Sequence, residues 1–321
     1  MRIPSGLLSK ILCHLCSDRP LALRHLIFAS KGLYYAAVND ASLWTTICFD
    51  GAFFKHFRGR PVEQAKSFTE QCLRWSGSLP LCIRMVFDDA LGGGPPTSPL
   101  RALINPKYRG FERCTSLIWD HSRGSVATAK EVVALLPTKL PSLRHLSLTR
   151  FRELIGGTQF PTCPVLEKVE MFTHYRSYHA YWGTNFAHVT TLSYGRDGYW
   201  LIHDMYTLLL FPALRDLTLV NAHSEMDRMV GHHKPAPLFR HLQTLRVHGK
   251  LPPELFTYLV VPAMEALHIE ANDFGRTSTD TLRDSFRSLC LHLCPLPSDC
   301  PSKRATMGSL PLKVCADMHQ D

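Results

Sequence analysis

The first fifty residues carry apolar side chains at helical spacing. The recurring positions are Ile3, Leu7, Leu8, Ile11, Leu12 and Leu15. Residues four positions apart share one face of a helix, so this pattern predicts a helix with a continuous apolar stripe. A second helical pattern runs from Ala22 to Ala37, and Asn39-Asp40 is typical of a turn after it. Short helices of this kind bury little apolar surface on their own, so the stripe predicts a partner that covers it.

A nine-residue phrase recurs six times in the body of the chain. The copies are LPSLRHLSL at 140–148, CPVLEKVEM at 163–171, FAHVTTLSY at 186–194, FPALRDLTL at 211–219, FRHLQTLRV at 239–247 and VPAMEALHI at 261–269. Their first apolar anchors, from Leu143 to Met264, are 23, 23, 25, 28 and 22 residues apart. These spacings fall within the period of about 20 to 29 residues that is typical of leucine-rich repeats. Proline stands two residues before the anchor in four copies, which favours an extended strand over a helix.

Each phrase ends in apolar residues two positions apart, which predicts a strand with one face in the core. The inward residues are Leu146, Leu148, Val169, Met171, Leu192, Tyr194, Leu217, Leu219, Leu245, Val247, Leu267 and Ile269. Weaker strand patterns precede them at 80–86 and 112–119. The predicted fold class is α+β to α/β, in which a short helical N-terminus is followed by an irregular leucine-rich-repeat solenoid with a curved parallel sheet.

The outward positions of these strands form a candidate target-binding surface of mixed polarity. Its residues are His145, Lys168, Glu170, Thr191, Asp216, Thr218, Arg246 and His268. A second candidate is the aromatic region from Phe172 to Trp200, where Tyr175, Tyr178 and Trp182 combine large area with polar groups. The alternative interpretation is that these aromatic side chains only fill the convex side of the solenoid.

The N-terminal segments together resemble a known motif. The run IPSGLLSKILCHL, then Asp18 to Leu21, then ASKGLYYAAVNDASLW are similar to the F-box, which binds a Skp-family adaptor in cullin-type (SCF) ubiquitin ligases; the resemblance covers about residues 3 to 47. It implies adaptor contacts by Pro4, Leu7, Leu8, Ile11, Leu12, Leu15, Leu43 and Trp44. It also implies a cullin, reached through the adaptor, and an unknown protein substrate held by the repeats. The order of segments resembles the F-box proteins of mushroom-forming fungi.

These patterns divide the chain into four predicted segments. Residues 1–50 form the helical F-box domain. Residues 51–99 hold a linker helix from Val62 to Trp75, a first strand, and a flexible Gly/Pro loop at 91–99. Residues 100–295 form the degenerate repeat solenoid, and residues 296–321 form a tail that is either an improvised cap or disordered.

Charge and composition narrow the classes of partner. The formal net charge is +9, yet no block of five or more Lys and Arg residues occurs, so no nucleic-acid partner is predicted. No uncharged apolar run approaches the ~20 residues of a membrane helix, and Lys10 and His14 interrupt the apolar stretch that a signal peptide needs. We therefore expect an intracellular protein, cytoplasmic or nuclear or both, with no membrane partner. Its eleven scattered cysteines are expected to be mostly buried thiols.

Candidate catalytic and metal-binding patterns are weak. Cys13-x-x-Cys16 lies on the predicted F-box helix without a second pair of ligands, and the cluster from Cys290 to Cys300 lacks the spacing of a zinc site. Nucleophile-elbow, Walker and dinucleotide-binding motifs are absent from the sequence. We therefore expect no enzyme activity, no cofactor and no metal.

Two hypotheses about function follow from these patterns. In the first, the chain is the substrate receptor of an SCF-type ubiquitin ligase. In the alternative, it is a stand-alone interaction or scaffold protein whose N-terminal helices cap the solenoid. Deletion of residues 1–50 is expected to separate them, because loss of a cap destabilises the repeats and loss of an adaptor-binding module leaves their melting unchanged.

Overall fold

The computed structural model describes residues 5–16, 20–57, 61–88, 97–123, 126–149, 160–174, 186–197, 208–221, 238–249 and 261–270. These residues fall into two compact units, one up to residue 166 and one from residue 167 onward. The first unit contains helices α1 Ser5–Cys16, α2 Pro20–Ile27, α3 Lys31–Asn39, α4 Gly51–Phe57, α5 Val62–Trp75, α6 Thr97–Ile104 and α7 Val126–Leu135. Its strands are β1 Thr46–Phe49, β2 Leu81–Asp88, β3 Cys114–Arg123 and β4 His145–Thr149. The second unit contains strands β5 Lys168–His174, β6 Thr191–Asp197, β7 Asp216–Asn221, β8 Thr244–Gly249 and β9 Ala266–Glu270.

Polar caps separate the N-terminal helices. The Ser30 hydroxyl accepts a hydrogen bond from the Leu33 N–H at 3.1 Å and so begins α3. The Asp40 carboxylate accepts from the Ser42 N–H at 3.1 Å and begins a single 3-10 turn, Ala41–Trp44, that leads into β1. The side chains buried along these elements are Leu12, Leu23, Ile27, Ala36, Ala37, Leu43 and Trp44. Because α1 and α2 both pack on α3, the helices share this small core.

The first unit contains a parallel sheet in which each strand pairs with the next along the chain, from β1 to β4. Two buried rows cross it. One row consists of Ile47, Ile83, Leu117 and Leu146, and the other of Phe49, Met85, Trp119 and Leu148. Helices α5, α6 and α7 lie in the connections between strands, and α5 packs on α6. This is α/β architecture.

The second unit repeats the pairing rule, with β5 to β9 parallel in chain order. Its first buried row consists of Val169, Leu192, Leu217, Leu245 and Leu267. Its second contains Met171, Tyr194, Leu219 and Val247. The parallel sheet predicted from the repeated phrase is confirmed, and so are the two earlier strands, which are β2 and β3. The F-box helical assignment and the solenoid stay predictions.

A further buried position opens each phrase, three residues before its first anchor. In the second unit it is occupied by Phe186, Phe211, Phe239 and Val261, and in the first by Leu140 and Cys163. The rings of Phe186 and Phe211 stack with their centroids 4.9 Å apart. The sequence interpretation counted only the anchors, so this column of the core was missed.

The prediction for residues 51–99 was correct for the helix and wrong for the end of the loop. Helix α5 spans Val62–Trp75, as the pattern indicated. The loop predicted at 91–99 is wrong at its end, because α6 begins at Thr97 and includes Pro99 in its first turn. Proline is tolerated there because the first-turn N–H groups have no partner within the helix. Residues 91–96 lie outside the described residues.

Candidate interaction surfaces

Large apolar side chains are exposed on the N-terminal helices. Leu7 and Ile11 lie one helical turn apart on α1 and are 51 % and 40 % exposed. Phe28, just after α2, is 73 % exposed, and Tyr35 on α3 is 63 % exposed. Tyr34 is also exposed and meets Tyr35 edge to face at 5.8 Å. The structure therefore leaves part of the predicted stripe uncovered.

The other residues predicted for adaptor contact are buried or half-buried, or are not described by the structure. Leu12, Leu43 and Trp44 are buried, and Leu8 is half-buried. The indole Nε1 of Trp44 donates to the carbonyl oxygen of Ala37 at 2.7 Å. Its ring lies 4.4 Å from that of Trp75 on α5. Leu43 and Trp44 thus help attach the N-terminal helices to the remainder of the first unit.

Two of those predicted residues are not described at the level of the side chain. Pro4 lies outside the described residues, and Leu15 is in α1 without a described side chain. Their predicted contacts with an adaptor stay predictions.

Arg24 on α2 makes a second attachment, which joins the N-terminal helices to α4 and α5. Its guanidinium lies 5.8 Å from the ring centroid of Phe57 and 5.3 Å from that of Phe68. Its Nη1 is 3.2 Å from Nε2 of His56. Since arginine only donates, Nε2 of His56 is the accepting nitrogen. Such cation–π contacts contribute about 0.5–2 kcal/mol each.

The outer face of the second sheet brings together the predicted polar residues of β5–β9. Lys168, Thr191, Asp216, Thr244 and Ala266 are neighbours in one row across the strands. Glu170, Ser193, Thr218, Arg246 and His268 form the next row. Lys168 and Glu170 form an ion pair at 2.6 Å. We call the face formed by these two rows the polar face.

The remaining predicted target-binding residues are His145 and three aromatic residues. His145 lies on β4 in the first unit, where its Nδ1 is 3.1 Å from Oγ of Ser116. Tyr175, Tyr178 and Trp182 lie outside the described residues, so the aromatic surface stays a prediction.

Phe172, which begins the aromatic region predicted from the sequence, is an exposed residue of β5 in the second unit. Its ring covers the backbone of Gly195 on the next strand, where a Cβ atom would collide with it. Phe172 follows Lys168 and Glu170 in steps of two, so it lies on the same side of β5 as these residues, because side chains alternate along a strand.

Burial controls the titration of the described thiols. Desolvation raises the pKa of Cys48, Cys72 and Cys163 to about 12, with the Asp50 carboxylate contributing at Cys48. Burial also raises the pKa of Cys114. These four thiols are buried and free, so they are neutral near pH 7 rather than reactive thiolates.

Two further kinds of feature are absent from the residues that the structure describes. These residues contain no group of three or more His, Cys, Asp or Glu side chains arranged to hold a metal ion. Within the same ranges, no helix has the length and apolar character needed to cross a membrane.

The chain matches no protein-family model and no curated protein.

Proposed function

We propose that this protein is the substrate-recognition subunit of an SCF-type ubiquitin ligase. In this proposal the N-terminal helices bind a Skp-family adaptor and, through it, a cullin, while the repeats hold a protein substrate. The chain supplies no catalytic residue, because its contribution is to hold a target near the partners that carry out the transfer. It works inside the cell, in the cytoplasm, the nucleus or both, without a bound cofactor.

The observation that carries the proposal is the apolar exposure of α1–α3. Among the described residues, five of the twelve exposed large apolar side chains fall between Leu7 and Tyr35. Burying one such side chain in an interface contributes about 1.5–3 kcal/mol. A concentration of exposed apolar residues is typical of a protein–protein interface. The sequence of this segment resembles a motif whose role is to bind a protein.

Burial refines the predicted adaptor contacts. Leu7 and Ile11 are free to make direct contact with a partner, together with Phe28 and Tyr35. We assign Leu12, Leu43 and Trp44 a positioning role, since they fix the helices in place from within the first unit.

The second candidate function is a stand-alone scaffold in which the N-terminal helices act as a cap. The packing of Trp44 on Trp75 favours it, because a cap is expected to bury its contacts within the chain. The scaffold function gives no role to the exposed side chains of Leu7, Ile11, Phe28 and Tyr35.

A pull-down with a purified Skp-family adaptor and cullin tests the proposal. Ile11→Asp places a charge on the exposed side of α1 and is expected to abolish capture. Ile104→Asp is the matched control, because Ile104 is also a helical isoleucine of the first unit and is 41 % exposed. It is expected to capture the adaptor like the wild type. Equal capture by wild type and Ile11→Asp, with both folded by circular dichroism, contradicts the docking assignment.

A further inference from the structure

We propose that the polar face binds an extended segment of another protein that carries a basic and an acidic side chain two residues apart. The inference rests on the proposed function and specifies the kind of target segment that the repeats hold. Seven polar residues are neighbours across β6–β9: Thr191, Ser193, Asp216, Thr218, Thr244, Arg246 and His268. As far as the described residues extend, none of these side chains has a hydrogen bond or ion pair within the chain.

The unpaired polar groups contrast with the edge of the face. On β5, Lys168 and Glu170 neutralise each other at 2.6 Å. On β7 and β8, by comparison, Asp216 and Arg246 carry opposite charges and do not pair. Asp216 is half-buried. A partly buried carboxylate without a partner costs free energy that a bound cation would offset.

The spacing of these two charges matches an extended polypeptide. Asp216 pairs in register with Thr244, and Thr218 with Arg246, so the two charged residues are diagonal neighbours. With strands about 4.8 Å apart and about 3.3 Å per residue, their Cα atoms are separated by about 8 Å. Alternate residues of an extended chain are separated by about 7 Å. Two side chains at positions i and i+2 of a bound segment therefore reach both charges.

The acidic side chain of the segment would meet two donors. Arg246 and His268 are direct cross-strand partners, so their side chains leave the same face side by side. Arginine presents a planar set of N–H donors that suits a carboxylate. The basic side chain would lie over Asp216, one strand away.

The chemistry of the face favours a polypeptide over a polyanion. The hydroxyls of Thr191, Ser193 and Thr218 each donate and accept hydrogen bonds, as the alternating N–H and C=O groups of a peptide backbone require. The unpaired Asp216 carboxylate on the same face would repel the phosphates of a nucleic acid or an anionic lipid surface.

Selection from a phage-displayed random peptide library tests the inference on the full chain. Wild type is expected to enrich peptides with a basic and an acidic residue two positions apart, about tenfold over the unselected library. Asp216→Arg is expected to remove the preference for the basic residue, and Arg246→Glu the preference for the acidic one, because like charges facing each other oppose binding. Arg240→Glu changes the charge equally at an exposed position in the turn before β8, and is expected to select like wild type. Thermal melting checks that each variant folds. If the Asp216→Arg variant does not fold, Asp216→Asn takes its place.

Three results would overturn the inference: no enrichment, enrichment of residues of one sign only, or the same shift in all three charge-reversal variants. Adaptor capture is measured separately on the same proteins, whose N-terminal helices are unchanged. Failed peptide selection with intact adaptor capture rejects this inference alone. Successful selection without adaptor capture rejects the ubiquitin-ligase proposal and keeps the peptide-binding face.

Discussion

Replacing Trp44 tests whether the N-terminal helices are built into the first unit. The indole is fully buried, donates a hydrogen bond of 2.7 Å to the Ala37 carbonyl and lies 4.4 Å from the ring of Trp75. Truncating a buried tryptophan to alanine costs about 3–5 kcal/mol of folding free energy. Loss of the hydrogen bond is about 1 kcal/mol of this. We therefore expect Trp44→Ala to lower the free energy of unfolding by about 4 kcal/mol.

Urea denaturation followed by circular dichroism measures this loss. Trp44→Phe keeps an aromatic ring but removes the N–H donor, so it is expected to cost about 1–2 kcal/mol. Phe28→Ala is the control, because truncation of an exposed side chain changes stability by about 0.5 kcal/mol or less. A loss below about 1 kcal/mol for Trp44→Ala, or an equal loss for Phe28→Ala, would refute the packing argument.

This packing changes how the two functional hypotheses are separated. Deletion of residues 1–50 removes Trp44 and the whole of β1, Thr46–Phe49, whose Ile47 and Phe49 belong to the buried rows of the first sheet. It is therefore expected to destabilise the first unit whether or not the helices bind an adaptor. Single substitutions at exposed positions such as Ile11 separate the hypotheses without disturbing the core.

Three further predictions concern stability and titration. Gly195→Ala is expected to lower the free energy of unfolding by about 1 kcal/mol, because the new Cβ meets the Phe172 ring. Adding Phe172→Ala to the same chain is expected to remove that cost, and a double-mutant denaturation cycle measures both effects. Arg113→Leu is expected to lower the free energy of unfolding, measured by urea denaturation, by about 1–2 kcal/mol, since the guanidinium donates to the carbonyls of Leu79 and Gly77. Arg113→Lys is expected to keep only part of this stability. Burial raises the pKa of the Cys72 thiol from about 9 to about 12, so the contribution of this thiol to stability falls as pH rises above about 9. Cys72→Ala is therefore expected to flatten the pH dependence of the free energy of unfolding, measured by urea denaturation between pH 8 and 10.

The repeated phrase predicted the second sheet well because strand alternation is a local property. Leu217 and Leu219 had to point inward once Asp216 and Thr218 pointed outward, and the register then aligned equivalent positions. The polar face could therefore be predicted residue by residue from Lys168 to His268. Phe172 lies one step further along the same alternation.

The N-terminal helices were harder to predict from the sequence. Their stripe is wide, and helical spacing alone does not say which residues pack within the chain and which stay exposed. Leu12 proved buried and its neighbour Ile11 exposed, because adjacent residues lie on different sides of a helix and α1 packs on α2, α3 and the Ala41–Trp44 turn. The burial of Trp44 depends on Trp75, thirty-one residues later, a contact that no local pattern encodes. Helices α4 and α7 are short and lack a clear periodic signal, so they were not predicted.

Hydrogen–deuterium exchange of the full chain, with and without a Skp-family adaptor, tests whether the N-terminal helices bind the adaptor. We expect added protection in α1 and between Phe28 and Tyr35, where the exposed apolar side chains lie, and unchanged exchange in β5–β9. Unchanged exchange in α1–α3, or protection confined to the second unit, would contradict it.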